Sequence, residues 1–203
     1  MNIEESHKAL KDLVYWISEN STGISLLVDR RSQIASGCLD VALEHQAAIL
    51  LLCQANLYGS MLAMFRVITE SVVRGLWILL CASEQELEQY ENGRIKKQFG
   101  VLIEEIERQL GESSQTISQL KSSAWNAMNG FTHTGYLQVT RRYKADQLGS
   151  NYLDMDVIQC LNASGVLGLI ASAQLVIIAG RNDLVDKHIN KMSEYTRRTE
   201  GRC

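Results

Sequence analysis

Arg66, Glu70 and Arg74 stand at four-residue intervals inside a segment, from about Leu57 to Cys81, that is otherwise apolar nearly all round. At about 100° per residue the three ionic groups fall within roughly 80° of one another, a ladder along one side of a helix. Gly59, Ala63 and Trp77 share that side, and Met61, Leu62, Phe65, Ile68, Val72, Leu76 and Leu79 form the other. Such a ladder is either an internal ion pair that fixes helix register or the floor of a site. Guanidinium forks on such a floor would present donors to a phosphate or carboxylate. His133 has a different setting. It lies between Thr132 and Thr134 beside Gly135, with Arg141, Arg142 and Lys144 close behind. That suits an anion-binding or acid/base histidine, or a turn histidine bonded to helix C-terminal carbonyls. His45 falls in the apolar stripe of the helix before the ladder, either packed in the core or turned toward a ligand. His45, Glu70 and His133 together have the donor types of a metal or small-ligand site. No HExxH-type spacing accompanies them, and neither a metal nor a cofactor is expected.

A second candidate lies near the C-terminus. Arg181 and His188 are seven residues apart on a helical segment, so their azimuths differ by only about 20°. They project from one side, two turns apart, with Asn182 beside Arg181. A neutral imidazole can take the proton of a ribose 2′-hydroxyl or return one to a leaving oxygen, while a guanidinium stabilises charge gathering on phosphorus. The pairing suits RNA cleavage without a metal.

Arg181, Asn182 and His188, near the start of a late helix in an all-helical chain, resemble the motif of HEPN-domain ribonucleases, which are bacterial and archaeal toxins and defence effectors. The resemblance implies acid/base chemistry at His188, phosphate binding at Arg181 and a supporting hydrogen bond from Asn182. It also implies a homodimer that joins two motifs into one composite site acting on single-stranded RNA, as in toxin–antitoxin or antiphage systems. A longer stretch resembles uncharacterised bacterial helical-bundle families grouped near HEPN. It comprises Arg66-x-x-x-Glu70 on an apolar helix, the preceding helix with inward His45, and the following His133-Thr-Gly. That second resemblance implies fold more than chemistry.

The elements that must position these residues are nearly all helices. The spacing predicts a first helix from about Ile3 to Glu19, with Leu10, Leu13, Val14 and Ile17 in one stripe, ended by Ser21-Thr22-Gly23. A second runs from about Ser25 or Ser32 to Ala55, with Ile34, Cys38, Val41, Ala48, Ile49 and Leu52 on its apolar face. The turn at Asn56 to Gly59 then sets the ladder helix antiparallel to it, as the central hairpin. After a charged segment, Ser83 to Arg94, Phe99 to Leu110 reads as a one-faced helix closed by Gly111. Glu112 to Ser114 supplies caps for another helix, through Ile117, Leu120, Ala124, Ala127 and Met128 to Gly130. From Phe131 to Tyr152 the helical period vanishes. This long irregular stretch, with room for a small hairpin, is of the kind that carries function. Asp154 to Gly180 is a long apolar helix, and Asn182 to about Arg198 the last, with Leu184, Val185, Ile189, Met192 and Tyr195 inward. Arg197 to Arg202 is a basic, frayed tail.

Composition agrees with one all-α domain, residues 1–203, a helical bundle around that hairpin. The 203 residues contain no proline, so nothing forces a helix to break. A formal charge of −3 argues against a surface that grips nucleic acid throughout. Five cysteines without a CxxC pair, and an acidic, polar start without an apolar leader, point to the reducing cytoplasm. Val157 to Gly180 runs about 24 residues without a charge. Its Asn162, Ser164, Gly165, Gly168, Ser172 and Gln174 suit helix packing rather than lipid, so no membrane partner is expected.

Three functional readings follow. One is the metal-independent ribonuclease, which requires Arg181 and His188 in an open cleft at a two-fold interface. Another is a non-catalytic protein-interaction module, partner or neutraliser of another protein, in which those residues are buried and satisfied and a large apolar face is exposed. The third is a small-ligand or metal site among His45, Glu70 and His133.

Overall fold

Asn56, in the left-handed conformation at φ 57°, turns the chain between its two central helices. Its amide donates to the Cys53 carbonyl and that of Leu57 to the Leu52 carbonyl, which closes α2 (Arg30–Gln54) and starts α3 (Tyr58–Leu80) antiparallel to it. The chain, described here by a computed structural model for residues 1–21, 23–25, 29–111, 118, 122 and 128–200, is an all-α helical bundle on this hairpin. α1 (Ile3–Ser21) precedes it. α4 (Glu84–Glu91), α5 (Phe99–Leu110), the five-residue α6 (Tyr136–Thr140), α7 (Asp154–Ile178) and α8 (Asn182–Glu200) follow. α5 packs on α3, and α7 contacts α1, α2, α3 and α8. The helix expected between Glu112 and Gly130 lies largely outside the described residues, as do Thr22 and residues 201–203. Residues 128–132 are helical.

α3 is buried on most of its circumference, from Met61, Leu62 and Phe65 through Ile68, Val72 and Val73 to Trp77 and Ile78. α2 meets it closely because Gly75 has no side chain: a Cβ there would lie 2.8 Å from Leu39 Cγ and 3.3 Å from the Ala35 carbonyl. The fully buried line of α2 is therefore Ala35, Leu39, Ala42, Gln46, Ile49 and Cys53; of the expected stripe Ile49 lies on it, while Ile34, Cys38 and Leu52 pack half-buried beside the core. The face is turned by one residue. Small side chains facing α3 and a hydrogen bond for Gln46 outweigh the larger Val41, which stays 43% exposed.

α7 shows why its small and polar residues are there. Gln46 Nε2 donates to the Ser164 carbonyl at 3.0 Å and lies where a Cβ of Gly168 would stand, 2.0 Å away. Tyr195 of α8 occupies the corresponding space over Gly165, its hydroxyl oxygen 2.2 Å from that virtual Cβ. Burial pushes the Tyr195 hydroxyl well above its usual range. Among the described residues α2 and α7 are long and apolar enough to cross a membrane, and 39% and 61% of their most apolar windows are buried within the protein.

One element departs from expectation, and a hairpin fills the room left for it. The charged segment after Ala82 contains α4, started by a capping box in which Ser83 Oγ accepts from the Glu86 amide and Glu86 accepts from the Ser83 amide. The stretch from Phe131 to Tyr152 is ordered as the end of a helical turn, α6, and a hairpin of β1 (Tyr143–Lys144) and β2 (Gln147–Leu148). Tyr143 pairs with Leu148 and Lys144 with Gln147, around a turn with Ala145 at φ 54°. Segments this short have too few residues to display a period.

Candidate functional site

The ladder side of α3 is the seam on which residues 128–152 are seated. Gly59 accepts Tyr152, whose hydroxyl oxygen stands 2.3 Å from where a Cβ would be, with Gln138 Nε2 at 3.6 Å from the same point. One turn on, Thr132 Oγ1 donates to the Ala63 carbonyl at 3.3 Å. A further turn brings Arg66, and one more Thr69, whose hydroxyl reaches Met128 Sδ at 3.8 Å. Tyr152 also packs edge-on against Tyr58.

At Arg66 the seam becomes ionic. Nε donates to Glu70 Oε1 at 2.7 Å, and Nη1 to Asn129 Oδ1 at 2.7 Å and to His133 Nε2 at 2.6 Å. A guanidinium only donates, so Nε2 of His133 accepts and its ring hydrogen is on Nδ1. The Arg66 and Glu70 side chains are 21% and 26% exposed and His133 is exposed, so the group forms a ledge at the protein surface. Thr134 follows at φ 52°, a costly conformation for a β-branched residue, and Gly135 then packs with its Cα region against Gly130. Arg74 stands apart from this group. It approaches Glu70 only at 3.9 Å and lies instead near Cys38 and Tyr90. Cys38 Sγ and Tyr90 Oη are 3.2 Å apart, and burial pushes the Tyr90 hydroxyl up to about 12. The three-rung ladder is thus one tight pair, Arg66 with Glu70, and one loose neighbour.

His45 is half-buried on α2. Among the described residues no three His, Cys, Asp or Glu groups come together as metal ligands, and His45, Glu70 and His133 are not such a set. Sequence reasoning did not single out Asn129. Its signal is the i, i+4 spacing to His133, one turn of the helical residues that end at 132.

Arg181 and His188 point to different places. His188 is 1% exposed: in the neutral ring its Nδ1–H donates to the Leu184 carbonyl at 2.9 Å, and Ser172 Oγ donates to Nε2 at 2.8 Å. Ser21 Oγ, 2.8 Å from Ser172 Oγ, completes a relay of hydroxyls between α1, α7 and α8. Trp16 meets the imidazole edge-on at a centroid distance of 4.8 Å. Arg181 is turned outward instead, 49% exposed, in a two-bond pair with Asp183 at 2.8 and 2.7 Å, and Asn182 beside it is exposed. The expected common face is not formed, because the helix begins at Asn182: Arg181 precedes it and pairs with Asp183, while His188 turns inward to Ser172. The inward stripe of α8, Leu184, Val185, Met192 and Tyr195, is as expected and includes His188; Ile189 alone departs from it, at 57% exposure.

Beyond the ledge, the chain from Tyr136 to Met155 is an arm with a concentration of exposed apolar side chains. Tyr136 is 82% exposed and Leu148 90%; Leu137, Val139, Tyr143, Leu153 and Met155 are also exposed. Arg141 is drawn inward to Asp156 at 3.3 Å, whereas Arg142 and Lys144 are exposed. Single exposed apolar residues are ordinary; here seven fall within twenty residues.

Residues 39–199 match the family described as "Family of unknown function (DUF6988)", and the chain belongs to that family. No curated protein and no solved structure matches it.

Proposed function

We propose that this protein is a cytoplasmic interaction module that binds another protein through the arm from Tyr136 to Met155. The observation that carries the reading is the exposed apolar set of that arm, on a base held to α3 turn by turn. It is supported by the state of His188, packed and hydrogen-bonded at 1% exposure, as an interaction module requires and an open catalytic cleft does not. A photo-crosslinking amino acid placed at position 148, and separately at the distant exposed position 15, tests the proposal in cells. A discrete adduct from position 148 that is absent from position 15, with its second component identified by mass spectrometry, is the expected result. An adduct of two copies of this chain would make the partner a homodimer mate. No adduct at 148, or the same adducts at both positions, overturns the proposal.

The Arg66–His133 contact favours a second reading, a metal-independent ribonuclease acting on single-stranded RNA from the ledge. There Arg66 would hold a phosphate and His133 move the proton. Cleavage of labelled RNA in EDTA that is abolished by His133→Ala, and kept by Arg181→Ala, is its signature; an inert wild type at micromolar concentration removes it.

A further inference from the structure

We infer that the segment the arm takes is extended, with apolar and acidic residues in alternation. The inference deepens the protein-binding reading and rests on it. Adjacent residues of a strand point to opposite faces. Tyr143 and its cross-strand partner Leu148 share one face of the hairpin, at 40% and 90% exposure. The other face holds Lys144 opposite Gln147, and Arg142 is exposed in the turn just before β1, its carbonyl accepting from the Gly149 amide. Among the described residues neither Arg142 nor Lys144 has a carboxylate within 4 Å, whereas Arg141 is taken by Asp156. The hairpin thus carries its apolar pair on one face and Lys144 on the other, with Arg142 exposed at its base, in a chain whose formal charge is −3.

A helix laid on this ribbon would meet one face alone. A third strand beside β2 meets both, because its side chains alternate with the same period of two. Alternate apolar residues would lie against Tyr143 and Leu148, and the intervening carboxylates would reach Arg142 and Lys144. The aliphatic majority of the arm, Leu137, Val139, Leu148, Leu153 and Met155, favours a protein segment over stacked bases.

Fluorescence anisotropy with labelled octapeptides tests this on the full chain. The probes are an octapeptide alternating valine and glutamate, one alternating valine and lysine, and an amphipathic leucine–glutamate helix, alongside oligouridylate. The alternating acidic peptide should bind at least about tenfold more tightly than the other three. The Arg142→Glu/Lys144→Glu double variant should remove that preference and Leu148→Asp the binding itself, both with unchanged circular dichroism. Equal binding of the valine–glutamate and valine–lysine peptides, or binding unmoved by the double variant, overturns the inference and leaves the wider reading intact. Stronger binding of the helical peptide or of oligouridylate overturns it in favour of those ligands. Failure of every peptide also overturns it, and the crosslink at position 148 decides separately whether the wider reading stands.

Discussion

Replacing His188 by alanine separates a core histidine from a catalytic one without any knowledge of a substrate. The imidazole is 1% exposed, its two nitrogens are both bonded, and its ring abuts Trp16. Deletion leaves a cavity between α1, α7 and α8 and forfeits the ring contact. The Leu184 carbonyl keeps its place in the helix, and Ser172 keeps Ser21, so the hydrogen-bond loss is the smaller part. Cavity formation at a site of this size costs about 2–4 kcal/mol. In a chain of this length that lowers the melting temperature by about 5–15 °C. Urea denaturation followed by far-ultraviolet circular dichroism measures the change, with the slope unaltered. His188→Phe keeps a ring beside Trp16 and should fall between alanine and wild type. Arg181→Ala, at a solvated pair, should leave the midpoint where it was. Removing a catalytic side chain from an open cleft costs little and often stabilises. A His188→Ala variant within about 0.5 kcal/mol of wild type would therefore refute the placement of this side chain in the core.

Gly168→Ala should destabilise by about 1–3 kcal/mol, because its methyl group stands on the Gln46 amide, and Gln46→Ala in the same chain should recover part of that loss; additive effects in a double-mutant cycle would count against the contact. Ala145→Gly relieves a left-handed residue in the hairpin turn, at a strain of about 1 kcal/mol, so hydrogen exchange at the Gly149 amide, which donates to the Arg142 carbonyl, should slow. Burial acts to raise the Glu86 and Glu105 carboxyls, but the Lys97 ammonium, together with hydrogen bonds from Ser83 at Glu86 and from Trp77 at Glu105, outweighs it and holds both below the ordinary value of 4.5. Their contribution to stability is present above that value and is lost as pH falls below it. Lys97→Met should lower stability at pH 7 and shrink the difference between pH 7 and pH 3, and an unchanged pH profile would show that the cluster contributes nothing.

The helical class and the α2–α3 hairpin were legible because two proline-free apolar runs of more than twenty residues flank the turn residues Asn56 to Gly59. The ladder was legible as a special side of α3, and its meeting with His133 was not, since the two are 67 positions apart and no local pattern encodes that distance. α4 was readable from Ser83-x-x-Glu86, a capping box that a highly charged sequence concealed. The burial of His188 follows the stripe it shares with Leu184 and Met192, whereas the exposure of Ile189 runs against hydropathy. What decides them is the hydroxyl of Ser172 on another helix, which offers the imidazole a bond that an isoleucine cannot use. The rotated face of α2 has the same origin, a glutamine drawn inward by a carbonyl on α7.

Gly165 and Gly168 on α7 seat side chains arriving from two different helices, Tyr195 from α8 and Gln46 from α2. For the history of this sequence that arrangement sets an order of events. A larger residue at either glycine is tolerated only after its visitor has become smaller, and a smaller visitor leaves a hole until the glycine grows. Each pair must therefore cross a valley of fitness one step at a time, while Leu51 and Ile177, on open surfaces, can drift freely. Relatives in which the glycine of one seat has been lost should carry a shortened residue in its partner helix, and the two seats should change independently of one another.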